Sequence, residues 1–335
     1  MQFEMEKKNR KRQPPLQSEM TSNENENRQR QLPFILTIRY WQHGKYLIYR
    51  PVDGESRIMC TQILVNKYVV ASAYGWLVLM DQIEEDCCVW NPSSMDIIKL
   101  PRLQNFDVYR KCVLSKPPTE PDCHILFISG DLFQQAFCKI GDVEFVYQSQ
   151  TKEVDRLIAV ASCQGKIYGV MLPDYKFVNI EFVGRTIEFR PILIDGEQPL
   201  KAPVKNKNWV VRNETELIDS NTGNELVFVM KDLTQNSNMD GSEFRVFRVD
   251  INRTECIEVD DIGDQVILIG QYGTGFCCSS SGTTFKPNSI YYIVEYDSCI
   301  YVYNLDDRST VSWVPNSLHL LNHFWVNLEL EELNR

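Results

Sequence analysis

No apolar run in this 335-residue chain approaches the ~20 residues a helix needs to cross a bilayer, which excludes a helical membrane span. The N-terminus also lacks the apolar core of a secretory signal, so the chain is expected in the cytoplasm or nucleus, away from membranes. Basic charge is in deficit: 35 Lys and Arg stand against 45 Asp and Glu, a net charge of −10. Residues 1–30 hold seven of the basic and five of the acidic side chains, leaving 28 and 40, or −12, for the remainder. An acidic body repels phosphate backbones and argues against nucleic-acid binding, while a basic protein groove or a cationic ligand stays compatible. A disulfide framework is missing too, since the eleven cysteines are odd in number, scattered, and include the adjacent pairs Cys87-Cys88 and Cys277-Cys278. Reduced and buried, they are expected to act as small hydrophobes. The triplets Asn213-Glu214-Thr215 and Asn252-Arg253-Thr254 are expected to stay unmodified.

What is present is a short-strand pattern, clearest over residues 75–101. Gly75-Trp76-Leu77-Val78-Leu79-Met80-Asp81, Cys88-Val89-Trp90 and Ile97-Ile98-Lys99-Leu100 are apolar, rich in β-branched and aromatic residues, and too short for helices. Asn91-Pro92-Ser93-Ser94 joins the second to the third, with Pro fixing φ and Asn and Ser able to bond their own backbone. Similar units recur. The first holds strands at 33–40, 45–51 and 56–59, and the second spans 68–101. The third holds 111–114, 124–128, 137–140 and 143–147; the fourth 157–161, 166–171 and 177–182. The fifth holds 225–230, 244–250 and 256–259; the sixth 266–270, 289–293, 300–304 and 310–315.

A period of roughly 40–60 residues lies in the range of propeller blades rather than helical solenoids. The expected fold is therefore all-β: a single β-propeller of about six blades, mostly of four antiparallel strands, over residues 32–335. Residues 1–31 are polar and repetitive and are expected to be a disordered tail, within which Lys7-Lys8-Asn9-Arg10-Lys11-Arg12 reads either as a nuclear-import signal or as a solubilising cluster. Val326-Asn327-Leu328-Glu329-Leu330 alternates with period 2, so the C-terminal stretch is expected to complete a blade begun by residues 33–40; a short amphipathic helix over 317–333 is the alternative.

Several of these strings also resemble a known family. Gly75-Trp76-Leu77-Val78-Leu79, Trp90-Asn91-Pro92 and Ile98-Lys99-Leu100-Pro101 are similar to the plant F-box-associated β-propeller family of the KIB type. So are Phe244-Arg245-Val246-Phe247-Arg248-Val249-Asp250, Ile262-Gly263-Asp264-Gln265-Val266-Ile267, Asn288-Ser289-Ile290-Tyr291-Tyr292, Val302-Tyr303-Asn304-Leu305-Asp306-Asp307 and Phe324-Trp325-Val326, in the family's order over about residues 33–330. The resemblance implies a kelch-like propeller that presents a ubiquitination substrate, with an N-terminal F-box docking on the adaptor of a cullin ligase. Leu32-Pro33 opens no amphipathic helices here and runs directly into a strand, so no F-box is expected in this sequence.

Gly270-Gln271-Tyr272-Gly273-Thr274-Gly275 has neither the Gly-Lys-Ser/Thr ending nor the G-x-G-x-x-G order, and reads as a tight connection between strands. Cys123-His124 stands without a second pair at metal spacing; His319 and His323 would share a face only in a helix, and His43 is not placed to join them. Glu258-Val259-Asp260-Asp261 with Asp264 lacks the spacing of a calcium loop. No G-x-S-x-G elbow is present. Trp76, Trp90, Tyr168, Tyr301 and Trp313 are expected to pack between blades. The better functional candidates are a Lys-rich insertion over 195–215, carrying Lys201, Lys205, Lys207 and Arg212, and the polar loop 231–243, because insertions in a repeat array fall on loops. The expected function is non-enzymatic protein recognition, without metal or cofactor. The alternative is an enzyme or small-ligand binder acting at the central channel.

Overall fold

The computed structural model describes residues 31–329, apart from 41–44, 52–54, 82–83, 85, 105–108, 130–133, 150–155, 195–213, 222–224, 233–242, 271–274, 295–298 and 314–322. Residues 1–30 of the predicted tail, with its basic cluster, lie outside the described residues, while Gln31 belongs to the first strand. The compact unit begins at Gln31. Among the described residues there is no α-helix, only strands and one 3-10 turn at Gln62–Leu64. Among these residues no helix is therefore long and apolar enough to cross a membrane.

Sheet I contains β1 (Gln31–Tyr40), β2 (Lys45–Arg50) and β3 (Glu55–Cys60); sheet II contains β4 (Lys67–Ala73), β5 (Trp76–Asp81), β6 (Cys87–Trp90) and β7 (Ile97–Lys99). Sheet III is β8 (Tyr109–Leu114), β9 (His124–Ser129), β10 (Gln134–Lys139) and β11 (Val146–Ser149); sheet IV is β12 (Leu157–Cys163), β13 (Lys166–Met171), β14 (Lys176–Val183) and β15 (Thr186–Pro191). Sheet V is β16 (Glu214–Asp219), β17 (Glu225–Asp232), β18 (Glu243–Asp250) and β19 (Glu255–Val259). Sheet VI holds β20 (Gln265–Ile269), β21 (Gly275–Ser279), β22 (Ser289–Ile293), β23 (Ile300–Asn304) and β24 (Thr310–Trp313), and β25 (His323–Glu329) returns to sheet I.

Each of sheets I to V is a four-stranded antiparallel ladder, of sequence neighbours in II to V and with β25 beside β1 in sheet I, and together with sheet VI they form a single all-β propeller. Local chemistry shows why the chain turns where it does. Ala73 pairs with Trp76 and Cys163 with Lys166, so Tyr74-Gly75 and Gln164-Gly165 are two-residue hairpins. Their φ values are 55°, 77°, 51° and 75°, a primed turn whose twist suits the strands and whose second position favours glycine. In the predicted Asn-Pro-Ser-Ser turn the Asn91 Oδ1 accepts from the N–H groups of Ser93 (2.8 Å) and Ser94 (3.1 Å).

Both faces of each sheet are buried against neighbours. One apolar cluster joins sheets II and III around Trp76, Val89 and Phe127; another joins III and IV around Leu126, Phe137 and Ile180. Phe177, Phe228 and Phe247 fill the space between IV and V, and Val246, Tyr292 and Tyr303 that between V and VI. Ile35, Tyr49, Tyr291 and Trp325 join VI to I, and the edge of Tyr46 meets Trp90 at 6.3 Å between I and II. The predicted packing aromatics Trp76, Trp90, Tyr168 and Tyr301 are buried in this way, and Trp313 lies against Tyr291 at 5.5 Å. The chain ends share a sheet: β25 pairs antiparallel with β1 from Gln31↔Glu329 to Thr37↔His323, so the strand reading of 323–329 holds and the helix alternative does not.

Four strand readings need correction. Three strands were not foreseen. β15 (Thr-Ile-Glu-Phe-Arg-Pro) is an outer strand too polar to stand out, β16 lies where the insertion was drawn to residue 215, and β21 begins at the last glycine of the Gly-rich run. The fourth strand of sheet III is Val146–Ser149 rather than 143–147, because Val143 stands 93% exposed in the turn after Gly141-Asp142. Sheet VI also departs from a purely antiparallel unit. β21 folds back on the inner side of β20, and the 280–288 connection then lets β22 pair parallel to β20, giving the order β21-β20-β22-β23-β24.

Candidate functional site

The inner strands β4, β8, β12 and β16 are edge strands, with backbone groups that no fifth strand pairs. At the starting end of these strands one such group is satisfied from a distance. Lys111 of β8 reaches past β12 to β16, where its ammonium donates to the Thr215 carbonyl and to Glu216 Oε1 at 2.9 Å. Both charged side chains are mostly buried, so an ion pair bridges β8 and β16 at this end. At the opposite ends of the inner strands, the Tyr74 hydroxyl lies 3.2 Å from the Ser115 carbonyl, to which it donates, and 3.0 Å from Ser162 Oγ, tying sheets II, III and IV.

Sheet V carries both candidate insertions at one end. Segment 195–213 leads into the start of β16, and segment 233–242 joins the end of β17 to the start of β18. Lys201, Lys205, Lys207 and Arg212 lie outside the described residues. Of the predicted loop 231–243, Lys231, Asp232 and Glu243 belong to strands, and buried Lys231 sits 5.0 Å over the ring of Tyr292.

At this same end a cavity of about 160 Å³ opens between sheets V and VI, lined by Glu243, Arg245, Glu258, Asp260, Tyr303 and Arg308 with apolar neighbours. The Arg245 guanidinium donates twice to Glu258, Nε to Oε1 and Nη2 to Oε2, both at 2.7 Å, and lies 4.9 Å over Phe247. Those bonds hold the Glu258 carboxyl below its ordinary value, against partial burial. Arg308 and Asp260 are more exposed and 3.6 Å apart. The walls are held by Asn288, buried and left-handed at φ 53°. Its Oδ1 accepts from the Ile262 N–H at 2.9 Å and its Nδ2 donates to Asp306 at 2.7 Å, which pins the 260–264 connection to the β23–β24 turn. Sequence reasoning missed this cavity because its lining comes from strands more than 40 residues apart. The acidic run 258–264 was the one visible signal.

Other candidates are not brought together. His124 stacks on Phe182 at 4.3 Å, and burial lowers its pKa. His323 begins a strand, which removes the helical pairing with His319; His319 and His43 are outside the described residues. No group of three or more metal-ligating side chains forms among the described residues. None of the eleven cysteines is in a disulfide. Burial pushes the thiols of Cys88 and Cys256 up to about 11 and those of Cys163 and Cys278 up to about 12, the opposite of what a nucleophilic thiol needs. Gly275 belongs to β21, and residues 271–274 are not described.

Comparison with known proteins gives one family. The family model described as KIB1-4 beta-propeller matches residues 48–310. No curated protein matches the sequence. Solved structures with a similar trace include a nidogen/laminin complex, at 10% identity and TM-score 0.39, covering 87% of this chain and 93% of that one. The extracellular domain of a one-component system from B. thetaiotaomicron is also similar, at 10% identity and TM-score 0.41, covering 89% of this chain and 36% of that one.

Proposed function

Because the chain belongs to the KIB1-4 β-propeller family, we propose that it is a non-enzymatic recognition propeller whose ligand is another protein. Its six sheets are read as six blades, the sixth with an extra strand, a count supported by the apolar clusters that join consecutive sheets. One observation carries the functional reading. The strand ends that border segments 195–213 and 233–242 lie with the V–VI cavity at one end of one sheet, and loops on a rigid scaffold are where binding residues concentrate.

The finer form of the reading is a kelch-like propeller of plant type that presents a substrate to a cullin-based ubiquitin ligase, in the cytoplasm or nucleus. The test is affinity purification of the tagged chain from plant cells. A reproducible protein partner is the expected result, and co-recovery of the cullin adaptor would extend it to ligase membership. A folded chain with no reproducible partner, or measurable turnover of a metabolite by the purified chain, would refute recognition as its role.

A further inference from the structure

Sheet VI is one strand wider than sheet V. The two pack face to face with Phe244 of β18 meeting Tyr292 of β22 and Tyr303 of β23, each at 5.0 Å. β19, the outermost strand of sheet V, lies toward β23, whose Tyr303 lines a cavity with Glu258 and Asp260, and sheet VI has one further strand, β24, outside β23. This step ends in the cavity lined by Glu258, Asp260, Tyr303 and Arg308.

The outer edges of the other sheets are short or covered. β7 has three residues, and β11 and β24 have four each. On β15 the Gln148 side chain takes both backbone groups of Ile187, its Oε1 accepting from the N–H at 2.7 Å and its Nε2 donating to the carbonyl at 3.0 Å. β3 holds the opposed charges Glu55 and Arg57, 3.8 Å apart, in its first half, a common way to discourage strand pairing, with Ile58 58% exposed after them. β19 runs five residues beside the step, with Ile257 56% exposed at its centre.

We propose that the open edge of β19 docks an extended basic peptide, which adds as a fifth strand to sheet V inside the step made by sheet VI. The inference rests on the protein-recognition reading and names its site and ligand class. Main-chain hydrogen bonds to an edge supply affinity, and alternate side chains supply specificity. A peptide residue opposite Ile257 covers an aliphatic side chain that water now touches. Its neighbours meet Glu258 and Asp260, with exposed Asp261 and Asp306 beyond, and compete with Arg308 for Asp260. The body's charge of −12 draws the same ligand from a distance.

The test uses the full chain and fluorescein-labelled eight-residue peptides alternating Lys or Arg with Val, read by fluorescence anisotropy, with hydrogen exchange at residues 255–259. Binding and slowed exchange at β19 are expected for the basic peptides. An acidic counterpart, and a basic peptide with proline at its centre, are expected not to bind. Ile257→Asp and Asp260→Lys, both at exposed positions, are each expected to weaken binding about tenfold with unchanged melting, and Glu243→Lys serves as an independent charge variant. Equal binding of the proline peptide, unchanged affinity in all three variants, or no binding of any basic peptide overturns the proposal. A cellular partner captured by the wild type and retained equally by the variants overturns docking at this edge while leaving protein recognition standing.

Discussion

Replacing Asn288 with alanine tests whether the loops around the V–VI cavity are held as described. The substitution deletes the acceptor for the buried Ile262 N–H, which costs about 1–3 kcal/mol when such a donor is left unsatisfied. It also deletes a donor to the Asp306 carboxylate, a bond to a charged group worth about 1.5–3 kcal/mol. Alanine must then hold φ 53°, a left-handed conformation that costs a side chain other than Asn or Asp roughly 1–2 kcal/mol. Allowing for partial relaxation, we expect a loss of about 4 kcal/mol, and at about 2–3 °C per kcal/mol for a large domain a fall in Tm of about 10 °C. Urea unfolding followed by circular dichroism, with a thermal melt beside it, measures both. Asn288→Gly should recover about 1 kcal/mol of the loss, because it removes the strain and not the missing bonds. Asn288→Asp adds a sign. Two carboxylates 2.7 Å apart cannot both ionise cheaply, so the folded-state pKa of the pair lies above the unfolded value. Stability is then lost as pH rises through that folded pKa, and the deficit against wild type should shrink as pH falls from 8 toward 5. An alanine variant within about 0.5 kcal/mol of wild type, the range of ordinary surface changes, would refute the described role of Asn288.

Gly169→Ala places a Cβ 2.5 Å from Leu157 Cδ1, 3.1 Å from Ile180 Cδ1 and 3.3 Å from Val178 Cγ2, so overpacking should cost about 1–2 kcal/mol by urea unfolding. Cys60 is the one fully exposed thiol, so it should react first with a maleimide on the native protein, with the buried cysteines labelling only after unfolding. His124 has a folded pKa lowered by burial, so the folded state resists its protonation and stability should fall as pH drops below its unfolded value of about 6.5. His124→Phe keeps a ring against Phe182 and should remove that part of the pH dependence between pH 7 and 5, measured by urea midpoint.

The legible parts of the fold were the strands buried on both faces. Trp76–Asp81, Cys87–Trp90, His124–Ser129 and Ile300–Asn304 read plainly because a strand sandwiched between two neighbours is apolar at nearly every position. Outer strands were not legible in the same way. β15 exposes Thr186, Glu188 and Arg190, and its pairing comes from the β14 ladder rather than from its own composition. β21 was hidden for a different reason. Its sequence, Gly-Phe-Cys-Cys-Ser, is strand-compatible, but nothing local says that it turns back to the inner edge of β20. The cavity was legible only as an acidic run, because Arg245 and Tyr303 reach it through sheet packing.

A ring of open sheets must dispose of two sets of unpaired backbone groups, and the solutions differ by position. Toward the axis, long side chains from other sheets serve: Lys111 covers the Thr215 carbonyl and Tyr74 the Ser115 carbonyl. These bonds join inner strands that the ladders leave separate, as well as satisfying polar groups. Toward the rim, Gln148 does the same for Ile187 by presenting an amide as if it were a segment of strand. That bond shows on this protein's own outer edge that β15 accepts an amide partner. β19 has the same kind of edge, a longer run than most of its counterparts, and a wider neighbouring sheet to shelter whatever pairs with it. An added strand there would bury Ile257 and give sheet V the five-strand width that sheet VI already has.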